Sequence, residues 1–397
     1  MASKLSILSL VVLLGTLLYQ FVLRELLFAT LGLGRVILPV SEFPYKCHRI
    51  TGDHNIQACE DMWLDTQSRT LYLACSDALS RRDWMPNVHR LNASGRGLND
   101  HVVAMDIDNP STTGSFTYRV LKTPGYSGVS GDGKLQVVSV SGIKSADAST
   151  NHLYLVNNRP SADPKTGVLL DNTKTGANTT IDVFSTTPGS DLMKHVKTFA
   201  DAQISTPNNV AVTKDGGFFF TNDHGPHKFG LQHHLSPVLA TGDLSYCSST
   251  GVCKKVAGGF KFPNGLHLAS DGLLYVPGAA AGGITVFKPA PDGSATKVHY
   301  IDLNYPIDNI SEDTNGDLFA ATLPKLISGL AGFDDPLNAP TPPATVWRVR
   351  RLDREVADKY EYSLSKVIED RDGEALPGTT TAIHDALTGR LFLSGET

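Results

Sequence analysis

Residues 264–275 read Asn-Gly-Leu-His-Leu-Ala-Ser-Asp-Gly-Leu-Leu-Tyr: a polar start, a short apolar run, an Asp-Gly turn and a second apolar run. Such a unit is a β-hairpin signature. It recurs from Asn208 (Asn-Asn-Val-Ala-Val-Thr-Lys-Asp-Gly-Gly-Phe-Phe-Phe) and from Asp308 (Asp-Asn-Ile-Ser-Glu-Asp-Thr-Asn-Gly-Asp-Leu-Phe). More degenerate copies start at Glu60, Ser141 and Thr381. Six copies spaced roughly 45–80 residues apart predict an all-β, six-bladed β-propeller with four strands per blade. A β-sandwich also supplies strands and turns, but gives no reason for one hairpin to recur.

Outside the repeats, the N-terminus stands apart. Between Leu5 and Leu23 the only polar residues are Ser6, Ser9, Thr16, Tyr19 and Gln20, flanked by Lys4, Arg24 and Glu25. At roughly 1.5 Å per residue this N-terminal hydrophobic helix nearly spans a bilayer core of about 30 Å. A second apolar run covers Leu26–Val40. The expected division is therefore 1–40, a signal anchor or signal peptide with a membrane-proximal segment, and 41–397, the propeller. An uncleaved anchor, a cleaved signal and a buried helix all remain open; the first two send the body into the secretory pathway, membrane-anchored or secreted.

The 397 residues carry a formal charge of −5 and no Lys/Arg run, which argues against nucleic acid as a partner. Five cysteines fit an oxidising compartment. Cys247 and Cys253 flank a turn and are expected to pair; Cys47 and Cys59 are candidates to pair, leaving Cys75 as a strand thiol. Asn92 and Asn178 head glycosylation sequons. Asn309 heads a third, but is expected to stay bare because it faces the channel.

The starts of the innermost propeller strands converge at one mouth of the channel. Here they carry Glu60, Asn208, Asn264, Asp308 and Asn309. Three amides and two carboxylates offer five oxygens and a formal −2, a set suited to Ca2+. No Cys or His stands at these starts, against zinc or copper. Asn and Asp are also ordinary strand-entry residues; the weight lies in their recurrence in register.

At these residues the chain resembles the serum paraoxonase/arylesterase family of calcium-dependent lactonases and esterases. Cys-Glu-Asp at 59–61, Asn-Asn at 208–209, Thr-Asn-Asp-His at 221–224, Phe-Pro-Asn-Gly at 262–265 and Ile-Asp-Asn-Ile-Ser at 307–311 follow that family's order. The resemblance implies that Glu60, Asn208, Asn264, Asp308 and Asn309 hold a catalytic calcium. It places a second, structural ion at Asp61 and the Ile143 carbonyl, where Asn209 replaces a carboxylate. The family's histidine pair is replaced by Ser141 and Asn158, neither a general base near neutral pH. Hydrolysis of a small lactone or ester must therefore work differently or be weak.

Asp308, a carboxylate at the ion, is the first choice to activate water, with His224 the alternative base and also readable as a group that orients Asp223 or its loop. His227, His233 and His234 match no metal spacing and are read as a solvated or lid-like loop. No Gly-x-Ser-x-Gly elbow occurs, and the segment around Ser130 reads as a turn. A non-catalytic, calcium-stabilised binding propeller is the alternative, and strictosidine-synthase-like chemistry a third reading. The chain stops after the sixth hairpin, so either a strand near residues 46–58 completes that blade or it stays incomplete.

Overall fold

The computed structural model describes residues 2–112, 114–128, 132–335, 338–352 and 359–395. Among the described residues, five antiparallel four-stranded sheets follow one another along the chain. Their innermost strands are Asp61–Asp65, Val137–Lys144, Pro207–Val212, His267–Leu268 and Ile307–Glu312. The expected sixth four-stranded blade is corrected. Among the described residues, its place holds a two-stranded sheet, Thr379–Asp385 with Arg390–Gly395. Residues 46–58 contain no strand that completes it. They run instead along a cleft of 970 Å³ beside the hairpin.

The second strand of a blade is covered on both faces by its neighbours, so it reads as a mostly apolar run with polar residues only at its ends. Thr70–Cys75, Phe218–Asn222, Leu274–Gly278 and Leu318–Thr322 are buried at every position. Each seam between blades is a separate apolar layer. Tyr72, Val102 and Ala104 meet Val140, Leu153 and Phe184 in one. Ala211, Phe219 and Leu244 meet Leu266, Leu274 and Phe287 in another. Each buried Val, Leu or Phe among them contributes on the order of 1.5–3 kcal/mol relative to exposure.

The quoted hairpins share one turn. Gly216, Gly272 and Gly316 have φ of 81°, 79° and 77°, a left-handed conformation that glycine adopts without a Cβ penalty. In each turn that glycine donates to the first turn residue: Gly216 to Thr213, Gly272 to Ala269, Gly316 to Asp313.

The ring closes between the hairpin and the first blade. Met62, Leu71 and Leu73 pack with Ile383 and Phe392. Arg69 grips Asp385 through two bonds of 2.8 and 2.6 Å. The Thr380 and Thr381 hydroxyls donate to the Glu60 carbonyl at 2.6 and 2.8 Å.

At the N-terminus the α-helix Ala2–Leu18 gives way to wider turns at Tyr19–Leu23 and Glu25–Thr30. Among the described residues no helix is long and apolar enough to cross a membrane. Ile7, Leu10, Val11 and Leu14 are exposed. From Glu25 onward the chain lies on the propeller. Glu25 pairs with Lys261, Thr30 Oγ1 donates to Ala280 O at 2.9 Å, and Arg35 reaches Pro324 O and stacks over Tyr305.

Cys247 is bonded to Cys253, as expected. The other disulfide joins Cys59 to Cys75, and Cys47 is exposed and unpaired. The Cys47–Cys59 pairing and the Cys75 thiol are thereby corrected. Asp61 lies opposite Ala74, so the same register one step outward sets residue 60 against Cys75 and brings Cys59 beside it.

Candidate functional site

Strand starts aim their side chains by breaking register. The pairing slips between Pro207 and Val210 and again between Ile307 and Ile310, at equivalent places in two blades. A bulge re-aims side chains at such a point, and here two consecutive residues, Asn208–Asn209 and Asp308–Asn309, become buried together. Asn264 is set by the bond of its N–H to Pro277 O at 3.1 Å. The following Gly265 leaves room for a neighbour: a Cβ there would fall 1.7 Å from Asn309 Oδ1.

Glu60, Asn208, Asn264 and Asp308 line one cavity of 360 Å³, together with His224. Among the described residues, Asn208 Oδ1 and Asn264 Oδ1 are buried without a hydrogen-bond partner. A buried amide oxygen left so costs on the order of 1–3 kcal/mol, so the chemistry of these two acceptors suits a hard cation. Asn309 turns the other way. Its Nδ2 donates to Glu60 Oε1 at 3.1 Å and Thr381 Oγ1 at 2.8 Å.

Deeper in the channel the locus expected for a second ion has a different character. The Asp61 carboxylate accepts from Met62 N (2.9 Å), Val140 N (3.0 Å) and Asn209 Nδ2 (3.0 Å), with the Thr381 hydroxyl oxygen 3.2 Å away. Burial nonetheless pushes this carboxyl up, to about 6. Asn209 Oδ1 accepts from its neighbour Val210 N at 2.6 Å. Ile143 lies farther along the strand that brings Val140 to Asp61, with its side chain in an apolar seam. The donor set around Asp61 does not fit a cation, because an amide N–H already occupies the position facing the carboxylate.

The two residues standing for the family's histidines are both engaged. Ser141 Oγ donates to Val210 O at 2.6 Å. Asn158 is buried, with Nδ2 donating to Asn87 Oδ1 at 2.6 Å. Imidazoles enter the cavity from elsewhere. His224 Nδ1–H donates to Asp223 Oδ1 at 2.7 Å, which leaves Nε2 as the ring's acceptor. His233 lies parallel to it, centroids 3.5 Å apart and planes at 12°. Burial pushes the His233 ring down to about 2, so it is neutral.

The expected His-rich loop is corrected in part. His233 is buried on the helix Gly230–Leu239 rather than solvated, whereas His234 is exposed. His89 was missed by sequence reasoning; it lines the same cavity and lies outside any repeat. Apolar walls come from Leu26, Val138, Phe262, Val238 and Leu330. Among the described residues no group of three His, Cys, Asp or Glu side chains is placed to hold a metal; the mouth offers two carboxylates and amides instead. Ser130 lies outside the described residues.

An all-β propeller with a polar channel mouth under an apolar cavity defines the class of protein. Residues 161–393 match the Arylesterase family, more than half of the chain, and the chain belongs to that family. Serum paraoxonase/arylesterase 2 of Gallus gallus is 28% identical over 220 residues, 54% of this chain and 59% of that protein. Serum paraoxonase/arylesterase 1 of Homo sapiens is 28% identical over 212 residues, 52% and 56% of the two chains. The match thus spans only 59% and 56% of the length of these curated relatives. A gluconolactonase structure from Xanthomonas campestris aligns with a TM-score of 0.44 at 15% identity, covering 86% of this chain and 85% of that one.

Proposed function

We propose that this chain hydrolyses small lactones or carboxylic (aryl) esters with a calcium ion held at the channel mouth. Glu60, Asn208, Asn264 and Asp308 would hold the ion, with Asn309 completing the set after an amide turn. The observation that carries the reading is the pair of buried, partnerless oxygens of Asn208 and Asn264 in the cavity that also receives the Asp223-bonded His224. When bound, calcium supplies a Lewis acid for the substrate carbonyl and the charge developing on its oxygen.

The chain's own residues supply the rest. The apolar walls exclude water and take a compact, weakly polar substrate. His224 Nε2 removes a proton from the attacking water as its oxygen bonds to the acyl carbon. As the acyl C–O bond breaks, the same proton passes to the leaving oxygen. The products are a hydroxy acid from a lactone, or an acid and a phenol from an aryl ester. Asp223 keeps Nδ1 protonated, so Nε2 stays the base. Asp308 belongs to the ligand set and, as a carboxylate at the cavity, is the alternative base. The 61/143/209 locus takes no part. The exposed apolar helix at the N-terminus is read as a targeting or membrane-associating segment.

The test is hydrolysis of a small lactone and of phenyl acetate by the full chain, before chelation, after it, and after calcium is restored. Turnover that vanishes and returns with calcium is expected. Absence of turnover from folded, calcium-loaded protein would replace this reading with that of a binding propeller.

A further inference from the structure

The carboxylate that receives His224 Nδ1–H is itself held from behind. Asp223 Oδ2 accepts from Asn87 Nδ2 at 2.5 Å. Asn87 Oδ1 accepts from Asn158 Nδ2 at 2.6 Å, and Asn158 Oδ1 accepts from Thr179 Oγ1 at 2.9 Å. All five residues are buried. The direction of this relay is fixed by chemistry, not by choice of amide orientation. A carboxylate only accepts, so Asn87 must turn its NH2 to Asp223 and its oxygen to Asn158. Asn158 must then offer its own NH2 and leave its oxygen for the Thr179 hydroxyl.

The other face of His224 is held from the same short turn. Asn87 sits in the turn Pro86–Val88. The carbonyl of Pro86 receives the His233 Nε2–H at 3.2 Å, and His233 lies flat on His224. The next residue, His89, accepts the Gly230 N–H on Nε2 at 3.1 Å and so pins the start of the helix that carries His233. One turn therefore governs both the hydrogen-bond partner of His224 and the plane of its ring.

We propose that Asn87 and His233 are positioning residues for His224, and that Asn158 is the far end of the relay that orients Asp223. The proposal rests on the reading of His224 as the base. Asn158, where the family resemblance places a histidine, thus serves the imidazole that stands elsewhere. Misplacing a reacting group costs on the order of 10²-fold in rate. The relay is accordingly expected to appear in kcat, with KM little changed.

The experiment is imidazole 15N NMR on the calcium-loaded full chain, paired with kcat and KM, for wild type and for Asn87→Leu, Asn158→Asp, His233→Ala and His233→Phe. Wild type should show His224 as the Nδ1–H tautomer. Asn87→Leu should mix the tautomers and lower kcat by about 10- to 100-fold with KM within about 2-fold. Asn158→Asp, which touches neither Asp223 nor His224, should do the same by forcing Asn87 to turn its amide. This second variant keeps the test alive if Asn87→Leu does not fold. His233→Ala should lower kcat, and His233→Phe, which keeps a flat ring there, should restore it to within about 3-fold. An Nε2–H tautomer in wild type would sink the reading of His224 as base. A wild-type Nδ1–H tautomer that survives Asn87→Leu or Asn158→Asp with unchanged kcat would overturn the relay alone.

Discussion

Two polar loci occupy adjacent positions on the same inner strands. Glu60, Asn208 and Asp308 face the cavity, Asp61 and Asn209 form the layer beneath, and Asn309 is bonded to both, to Glu60 above and Asn209 below. In the upper layer two buried amide oxygens have no hydrogen-bond partner among the described residues; in the lower layer Asp61 accepts three N–H hydrogen bonds. Composition hardly separates them, since both mix amides and carboxylates. Satisfaction does. A buried acceptor without a donor marks where a ligand belongs, and a carboxylate already facing amide N–H groups marks a closed piece of structure.

The largest effect expected from breaking this contrast is at Asp308. Asp308→Asn should cost at least about 10²–10³-fold in kcat/KM, the size of losing one charge-stabilising group. Steady-state hydrolysis with calorimetric calcium titration checks it, and unchanged activity with calcium bound would remove Asp308 from the mechanism. Next, Asn209→Asp should turn the closed lower locus into an open one. Two carboxylates then face each other, so calcium-free protein should lose about 1–3 kcal/mol of stability. Titration should show the calcium stoichiometry rise by one ion per chain. An unchanged stoichiometry would mean that the lower locus is closed by more than the amide.

The smallest effect lies at the ring seam. The Arg69 bonds hold the Asp385 carboxyl down to about 2, below the ordinary value of 3.8. The folded pKa lies below the unfolded one, so the contribution is complete above about pH 4 and is lost as pH falls towards 2. Asp385→Asn should therefore lower stability near neutrality, and the gap from wild type should close in that acid window. Chemical denaturation at several pH values measures it.

Much of this was legible. Repetition of one hairpin signals a propeller because each blade needs the same solution: an inner strand, a tight left-handed turn, and a second strand buried on both faces. That Glu60, Asn208, Asn264 and Asp308 share one cavity was legible for the same reason, since they hold the same position of one repeat. What depends on pairing between distant segments was not. The relay from Asn158 through Asn87 to Asp223 joins three separate stretches, and Asn87 lies in an insertion that no repeat marks. The Cys59–Cys75 bond was readable in principle by extending the register of the first hairpin. The two-stranded sixth unit was anticipated only as one of two outcomes, because strand count depends on which chain segment fills an edge.

The hairpin that closes the ring has a consequence for kinetics. Its Thr380 and Thr381 hydroxyls hold the backbone of Glu60, so the joint of the propeller and the placement of a proposed ligand are the same contacts. Opening this joint releases an oxygen donor, and an ion bound at the mouth weighs against opening by roughly RT ln(1 + [L]/Kd). The slowest exchanging amides of Thr379–Asp385 would then report the occupancy of the mouth, and the last step of ring closure would double as the latch on the ion.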